Sequence, residues 1–82
     1  MSTNMDEKKL IALLPEITSA VVDLISARDG MTEDEAIRSL YSSELYRDLE
    51  NEETKVWQFS TETLYSLYRQ EKRYGKIEYP EY

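Results

Sequence analysis

The 82-residue chain contains no cysteine and no histidine. Without cysteine there is no disulfide framework, no thiolate zinc site and no thiol nucleophile. Extracellular domains of this size usually depend on disulfides, so the cytoplasm is the expected compartment. Without histidine the chain lacks the commonest general base, the commonest metal ligand and the usual switch near neutral pH. The two glycines, Gly30 and Gly75, both fall at expected helix ends, and they build no phosphate loop, dinucleotide fingerprint or GxSxG elbow. No apolar run reads as approaching the roughly 20 residues that span a bilayer. Residues 1–7 are polar and acidic, unlike a secretory signal. The net charge of −7 repels phosphate backbones and anionic lipid surfaces alike.

What is present reads as one helical domain over residues 1–82, with residues 1–5 and 76–82 as flexible or extended tails. A chain of this length buries only about 60–65% of its unfolded surface, so its core must be economical. The first helical face carries Leu10, Leu13, Leu14, Ile17, Val21, Leu24, Ile25 and Arg28 at three- and four-residue steps. Pro15 interrupts it. A proline within a helix deletes one hydrogen bond and clashes with the preceding turn, at a cost of about 3 kcal/mol. One kinked helix is favoured over a separate turn before Pro15, because the apolar face continues on both sides. Asp29-Gly30 ends it. Thr32 and Glu35 then form a capping box, and Ala36, Ile37, Leu40 and Tyr41 give the inner face of a second helix. After Ser42-Ser43, Leu45, Tyr46 and Leu49 give a shorter third face.

Residues 54–68 organise the rest. They hold the single Trp and the single Phe. Residues 54–59 read as an extended aromatic connector that plugs the core with Trp57 and Phe59. Ser60 is a good N-cap, and Phe59 and Leu64 have the spacing of a hydrophobic staple. Leu64, Leu67, Tyr68, Glu71 and Tyr74 follow on one face. Arg69, Lys72 and Arg73 crowd the last turns, where the helix dipole favours cations, and Gly75 supplies the left-handed stop. The expected fold is therefore all-α, a compact bundle of three to four helices.

The acidic clusters offer little chemistry. A calcium loop begun at Asp29 fails at its third position, Met31, and helix capping accounts for Glu33-Asp34-Glu35. Glu50, Glu52 and Glu53 read first as a solvated turn, with a patch for a basic partner as the alternative. Paired carboxylates serve glycoside hydrolysis, but that reaction also needs a cleft that so short a chain rarely affords. No enzyme activity, cofactor or metal is expected. Seven tyrosines exceed what a small core holds, and tyrosine is common in protein interfaces. The candidate interface is Tyr65, Arg69, Lys72, Arg73 and Tyr74. Interleaved cations and aromatics also bind single-stranded nucleic acid, but Glu71 lies within the stripe and the whole chain is acidic, so nucleic acid is the alternative and not the first choice.

Leu45-Tyr46-Arg47-Asp48-Leu49, Glu52-Glu53-Thr54, Trp57, Ser60, Leu64, Glu71 and Gly75, with Pro80-Glu81 beyond, resemble a group of small uncharacterised bacterial helical proteins. The resemblance covers roughly residues 31–81 and leaves out the helix around Pro15. Some members are encoded beside toxin-like genes. The resemblance implies an accessory or antitoxin-like role with a protein partner such as a neighbouring gene product, and it transfers no catalytic residue. A second copy in a homodimer is expected on other grounds: the apolar face of Leu10, Leu13, Leu14, Ile17, Val21, Leu24 and Ile25 exceeds what two short helices and one longer one can cover, and a two-fold contact would close it.

Overall fold

The computed structural model describes residues 3–80. Among them lie four α-helices: α1 (Thr3–Asp29), α2 (Glu33–Tyr41), α3 (Glu44–Glu50) and α4 (Thr61–Tyr74). Two 3-10 turns, Glu52–Thr54 and Val56–Gln58, precede the last helix. The described residues contain no strand, and the fold is the all-α bundle that the helix faces require.

Pro15 lies inside α1, which is continuous. It has no amide to give the Ile11 carbonyl. Ile11 is 72% exposed, so water can take that bond. One turn on, the buried Thr18 hydroxyl donates to the carbonyls of Leu14 (3.0 Å) and Pro15 (3.1 Å), which satisfies its own polar group within the core. Thr3 to Met5 open the helix and do not form a tail. Met1 and Ser2 lie outside the described residues. Gly30, at φ +70°, ends the helix in a conformation that side chains resist.

Leu10, Val21, Val22 and Ile25 of α1 are buried. Leu14 and Ile17 pack partly against them, whereas Leu13 stands 39% exposed. In α2 the capping box closes in both directions: Glu35 N–H donates to Thr32 Oγ1 and Thr32 N–H donates to Glu35 Oε1. Ala36 and Leu40 are buried, but Ile37 and Tyr41, expected beside them, are 37% and 50% exposed. The reason is width. A helix of 9 residues laid along α1 covers one i, i+4 stripe, and Ile37 and Tyr41 sit one residue, about 100°, further round.

The first turn of α3 is held from two sides. Ser43 Oγ accepts from Tyr46 N–H. The carboxylate of Glu71, on α4, accepts from the amides of Glu44 (2.9 Å) and Leu45 (3.1 Å). A charge-assisted bond of this kind contributes about 1.5–3 kcal/mol. Glu71 therefore ties α4 to α3 through orphan amides that α3 could not satisfy alone.

The connector is not extended. Residues 52–58 wind into two 3-10 turns, separated by Lys55 in the left-handed region at φ 60°. Local hydrogen bonds decide this. Asn51 Oδ1 accepts from Glu53 N–H, and the Thr54 hydroxyl donates to the carbonyls of Asp48 and Asn51. No neighbouring strand among the described residues offers an extended run the same bonds. Trp57 is 6% exposed, its indole N–H donates to the Glu52 carbonyl (3.1 Å), and its turn packs on α1 and α3.

In α4, Ser60 caps the start, Leu64, Leu67 and Tyr68 are buried, and Gly75 closes the end at φ 79°. Phe59 packs partly into the core beside them. The segment after Gly75 is extended but docked. Ile77 and Tyr79 pack against the core, the Tyr79 hydroxyl donates to Asp48, and Glu78 N–H donates to Gln70. Glu81 and Tyr82 lie outside the described residues.

Truncating a buried aromatic costs about 3–5 kcal/mol, a large share of the roughly 5–15 kcal/mol that stabilises an ordinary domain. Trp57→Ala is expected to unfold or nearly unfold the chain in a thermal melt followed by circular dichroism. A variant that melts like the parent would place Trp57 outside the cooperative core.

Candidate functional site

The five residues singled out from the sequence divide among three tasks. The C-terminus of α1 is a poor place for a carboxylate, because the helix dipole is negative there. Asp29 nevertheless sits there with its side chain only 9% exposed. Its Oδ1 accepts from the Tyr65 hydroxyl (2.6 Å) and from Arg69 Nη1 (3.1 Å). The Asp29 hydrogen bond, followed by desolvation, raises the Tyr65 phenol pKa. Next to it, Arg28 forms a two-pronged bond to Glu62 (3.0 and 2.8 Å) and lies over the Tyr65 ring. That bond holds the Glu62 carboxyl below its ordinary range. Tyr65 and Arg69 thus fasten α4 to the end of α1.

Arg69, Lys72 and Arg73 also line one open depression of about 300 Å³. Lys72 lies over the buried Tyr68 ring at 5.4 Å and Arg73 over Tyr74 at 5.8 Å. Tyr74 is 66% exposed and lines a neighbouring hollow of about 280 Å³ with Gln70, Lys76 and Glu78. The basic stripe exists, but its aromatics do not form one platform with its cations.

A second face lies where the apolar stripe of the first helix was expected to outrun its cover, although its groove residues were not singled out from the sequence. A groove of about 210 Å³ runs between α1 and α2, with Pro15, Thr18 and Val22 on one wall and Ile37 and Tyr41 on the other. Tyr41 stacks on Tyr46 of α3, with ring centroids 4.4 Å apart and planes at 13°. One turn before Pro15, Leu10 and Ile11 floor a hollow of about 440 Å³ whose lip is Glu7, Glu50, Glu52 and Glu53. Glu52 is paired with Lys55 at 2.7 Å. The signal for this face is the mismatch between a 27-residue helix and a 9-residue neighbour. The longer stripe must outrun its cover.

The same surplus corrects the reading of the apolar runs. Glu7–Asp29 has a window of mean hydropathy 1.8, long and apolar enough to cross a membrane by length and composition. Alanines and aliphatics there outweigh Pro15, Glu16 and Asp23. Val21, Val22 and Ile25 from this stretch build the core, yet just 28% of the window is buried. Among the described residues, no three acidic side chains converge on a position that could hold a metal ion.

Burial, reinforced by the Glu50 carboxylate and by Tyr41, pushes the Tyr46 phenol from 10.0 up to about 12. The folded state therefore holds this proton where an unfolded tyrosine releases it. The associated stability is fully present below pH 10.0 and is lost as pH rises through about 12. A phenolate absorbance titration of Tyr46→Phe is expected to lack a late step present in the parent. Loss of the missing amplitude from the main step near pH 10.0 instead would show that Tyr46 is solvated.

The basic stripe is small and the rest of the surface is acidic. Phosphate contacts dominate nucleic-acid affinity, so no binding of duplex DNA is expected at physiological salt in a fluorescence-anisotropy titration. A micromolar, steeply salt-dependent isotherm would move the site to Arg69, Lys72 and Arg73.

Comparison of the chain with protein-family models, with curated proteins and with solved structures gives no match.

Proposed function

We propose that the chain is a small protein-interaction module, an accessory or antitoxin-like partner and not an enzyme, and that it binds through the α1–α2 face. One observation carries the reading. The large apolar side chains that stand exposed among the described residues are Ile11, Leu13, Ile37, Tyr41 and Tyr74; Ile37 and Tyr41 line the α1–α2 groove with Pro15, and Ile11, one turn before Pro15, lines the next hollow along α1. Scattered exposed hydrophobics need no explanation, but a contiguous patch beside a groove marks a binding surface. The stacked Tyr41–Tyr46 pair adds rigid aromatic area of the kind found in interface hot spots.

Nucleic acid bound through α4 is the second reading. It is supported by the shared depression of Arg69, Lys72 and Arg73. Against it, Arg69 is already engaged with Asp29, and the net charge is −7.

The test uses the double variant Ile37→Gln, Tyr41→Gln. Both positions are exposed and glutamine suits a helix, so the melting temperature should stay close to that of the parent. A protein captured from the native host by the parent and rebound in purified form should be lost with the variant. Removing two apolar anchors should weaken the complex at least about tenfold. Equal capture by parent and variant would move the interface off this face.

A further inference from the structure

We infer that the occupant of the α1–α2 face is a basic amphipathic helix from a different protein. This rests on the interaction reading above and names the chemistry of its partner. The walls of the groove are two helices, and no strand edge exists among the described residues to pair with an extended peptide. A helix laid into such a groove through side chains at i, i+3, i+4 and i+7 is the recognition mode that the geometry admits. The line on α1 from the exposed Ile11 through Pro15 and Ser19 to the buried Val22 at its end spans about 16 Å at 1.5 Å per residue, or about three turns of a docked helix.

Charge selects the partner. The charged side chains lining the groove and the adjoining hollow are Glu7, Glu33, Glu50, Glu52 and Glu53, and among the described residues no cation lines either. Glu52 is engaged with Lys55 and Glu50 with the Tyr46 hydroxyl, which leaves Glu7, Glu33 and Glu53 toward a visitor. Tyr41 and Tyr46 join the two hollows into one surface, with Glu50 one turn beyond Tyr46. An apolar floor with a carboxylate lip fits leucine-like side chains flanked by Lys or Arg. A second copy fits badly. A two-fold contact lays each patch on its own image, so the same carboxylates would face one another across the interface.

The test measures binding of two labelled model helices of about five turns. One carries leucines at i, i+3, i+4 and i+7 with lysines elsewhere. The other replaces every lysine with glutamate. Binding is read by anisotropy against the full chain, the apolar variant above, and the triple variant Glu7→Gln, Glu33→Gln, Glu53→Gln, and sedimentation of the chain alone runs beside it. The lysine helix should bind. Its affinity should fall about tenfold with the triple variant and on raising salt from about 0.05 to 0.5 M. It should fall at least as far with the apolar variant, and the glutamate helix should not bind.

If the apolar variant alone weakens binding and both helices bind alike, the face is an interface but charge does not choose its partner, and the inference fails while the interaction reading stands. A dimer in sedimentation that Ile37→Gln, Tyr41→Gln disperses would make a second copy the occupant and overturn the inference in the same way. If the lysine helix binds all variants equally, or does not bind the parent, both the inference and the assignment of this face fail.

Discussion

One helix is too long for the rest of the chain. α1 has 27 residues, whereas α2, α3 and α4 have 9, 7 and 14. At 1.5 Å per residue α1 runs about 40 Å, which matches the 43 Å long axis of the molecule against 24 and 19 Å across it. α2, α4 and both 3-10 turns pack on this rod, and α3 is held by packing on them. Its stripe is core where the shorter elements cover it, at Val21, Val22 and Ile25, and surface where they do not, at Ile11. Core and candidate interface are two lengths of one apolar line.

Short elements cannot hold themselves. A helix of two or three turns has more orphan groups than internal bonds, so side chains must supply the difference. Thr32 and Glu35 do so within α2. Ser43 and Glu71 do so for α3, and Glu71 reaches it from α4. Asp29 reverses the arrangement: a carboxylate that the end of α1 disfavours is kept there by Tyr65 and Arg69 of α4. Satisfying terminal groups is thus also how α4 is fastened to both its neighbours. Removing either carboxylate would loosen a helix junction as well as a cap.

The sequence made the caps legible because they depend on neighbours within a few residues. Thr32, Ser43, Ser60 and Gly75 all occupy the positions that their local spacing requires. The buried residues Leu64, Leu67 and Tyr68 followed from the same periodicity. What spacing hides is how much of a face a partner element covers. Ile37 and Tyr41 belong to the apolar side of α2 by pattern and to its rim by geometry. The winding of residues 52–58 was hidden for another reason. β-branched and aromatic content favours extension, but side-chain bonds from Asn51 and Thr54 close the turns instead. Glu71 fell on an apolar stripe and gave no sign that it faces the amides of another helix. The candidate residues Arg69, Lys72 and Arg73 were legible as a basic end, but the internal duty of Tyr65 and Arg69 was not, because Asp29 is 36 and 40 residues away in the chain.

Pro15 links the helix to its uncovered face. A proline deletes the amide that would serve the carbonyl four residues back. Buried, a carbonyl without a donor costs about 1–3 kcal/mol. On α1 that carbonyl belongs to Ile11, a residue 72% open to water, so the proline is tolerable where it stands and would not be one covered turn deeper. The missing bond also constrains what can seat there. A wholly apolar helix laid over Ile11 and Pro15 would shut water away from an oxygen whose usual donor is gone. A helix that brings Lys or Arg to the Glu7, Glu50 and Glu53 lip beside Ile11 carries donors that a wholly apolar helix lacks. The break in the backbone ladder and the charge around it therefore favour the same kind of partner.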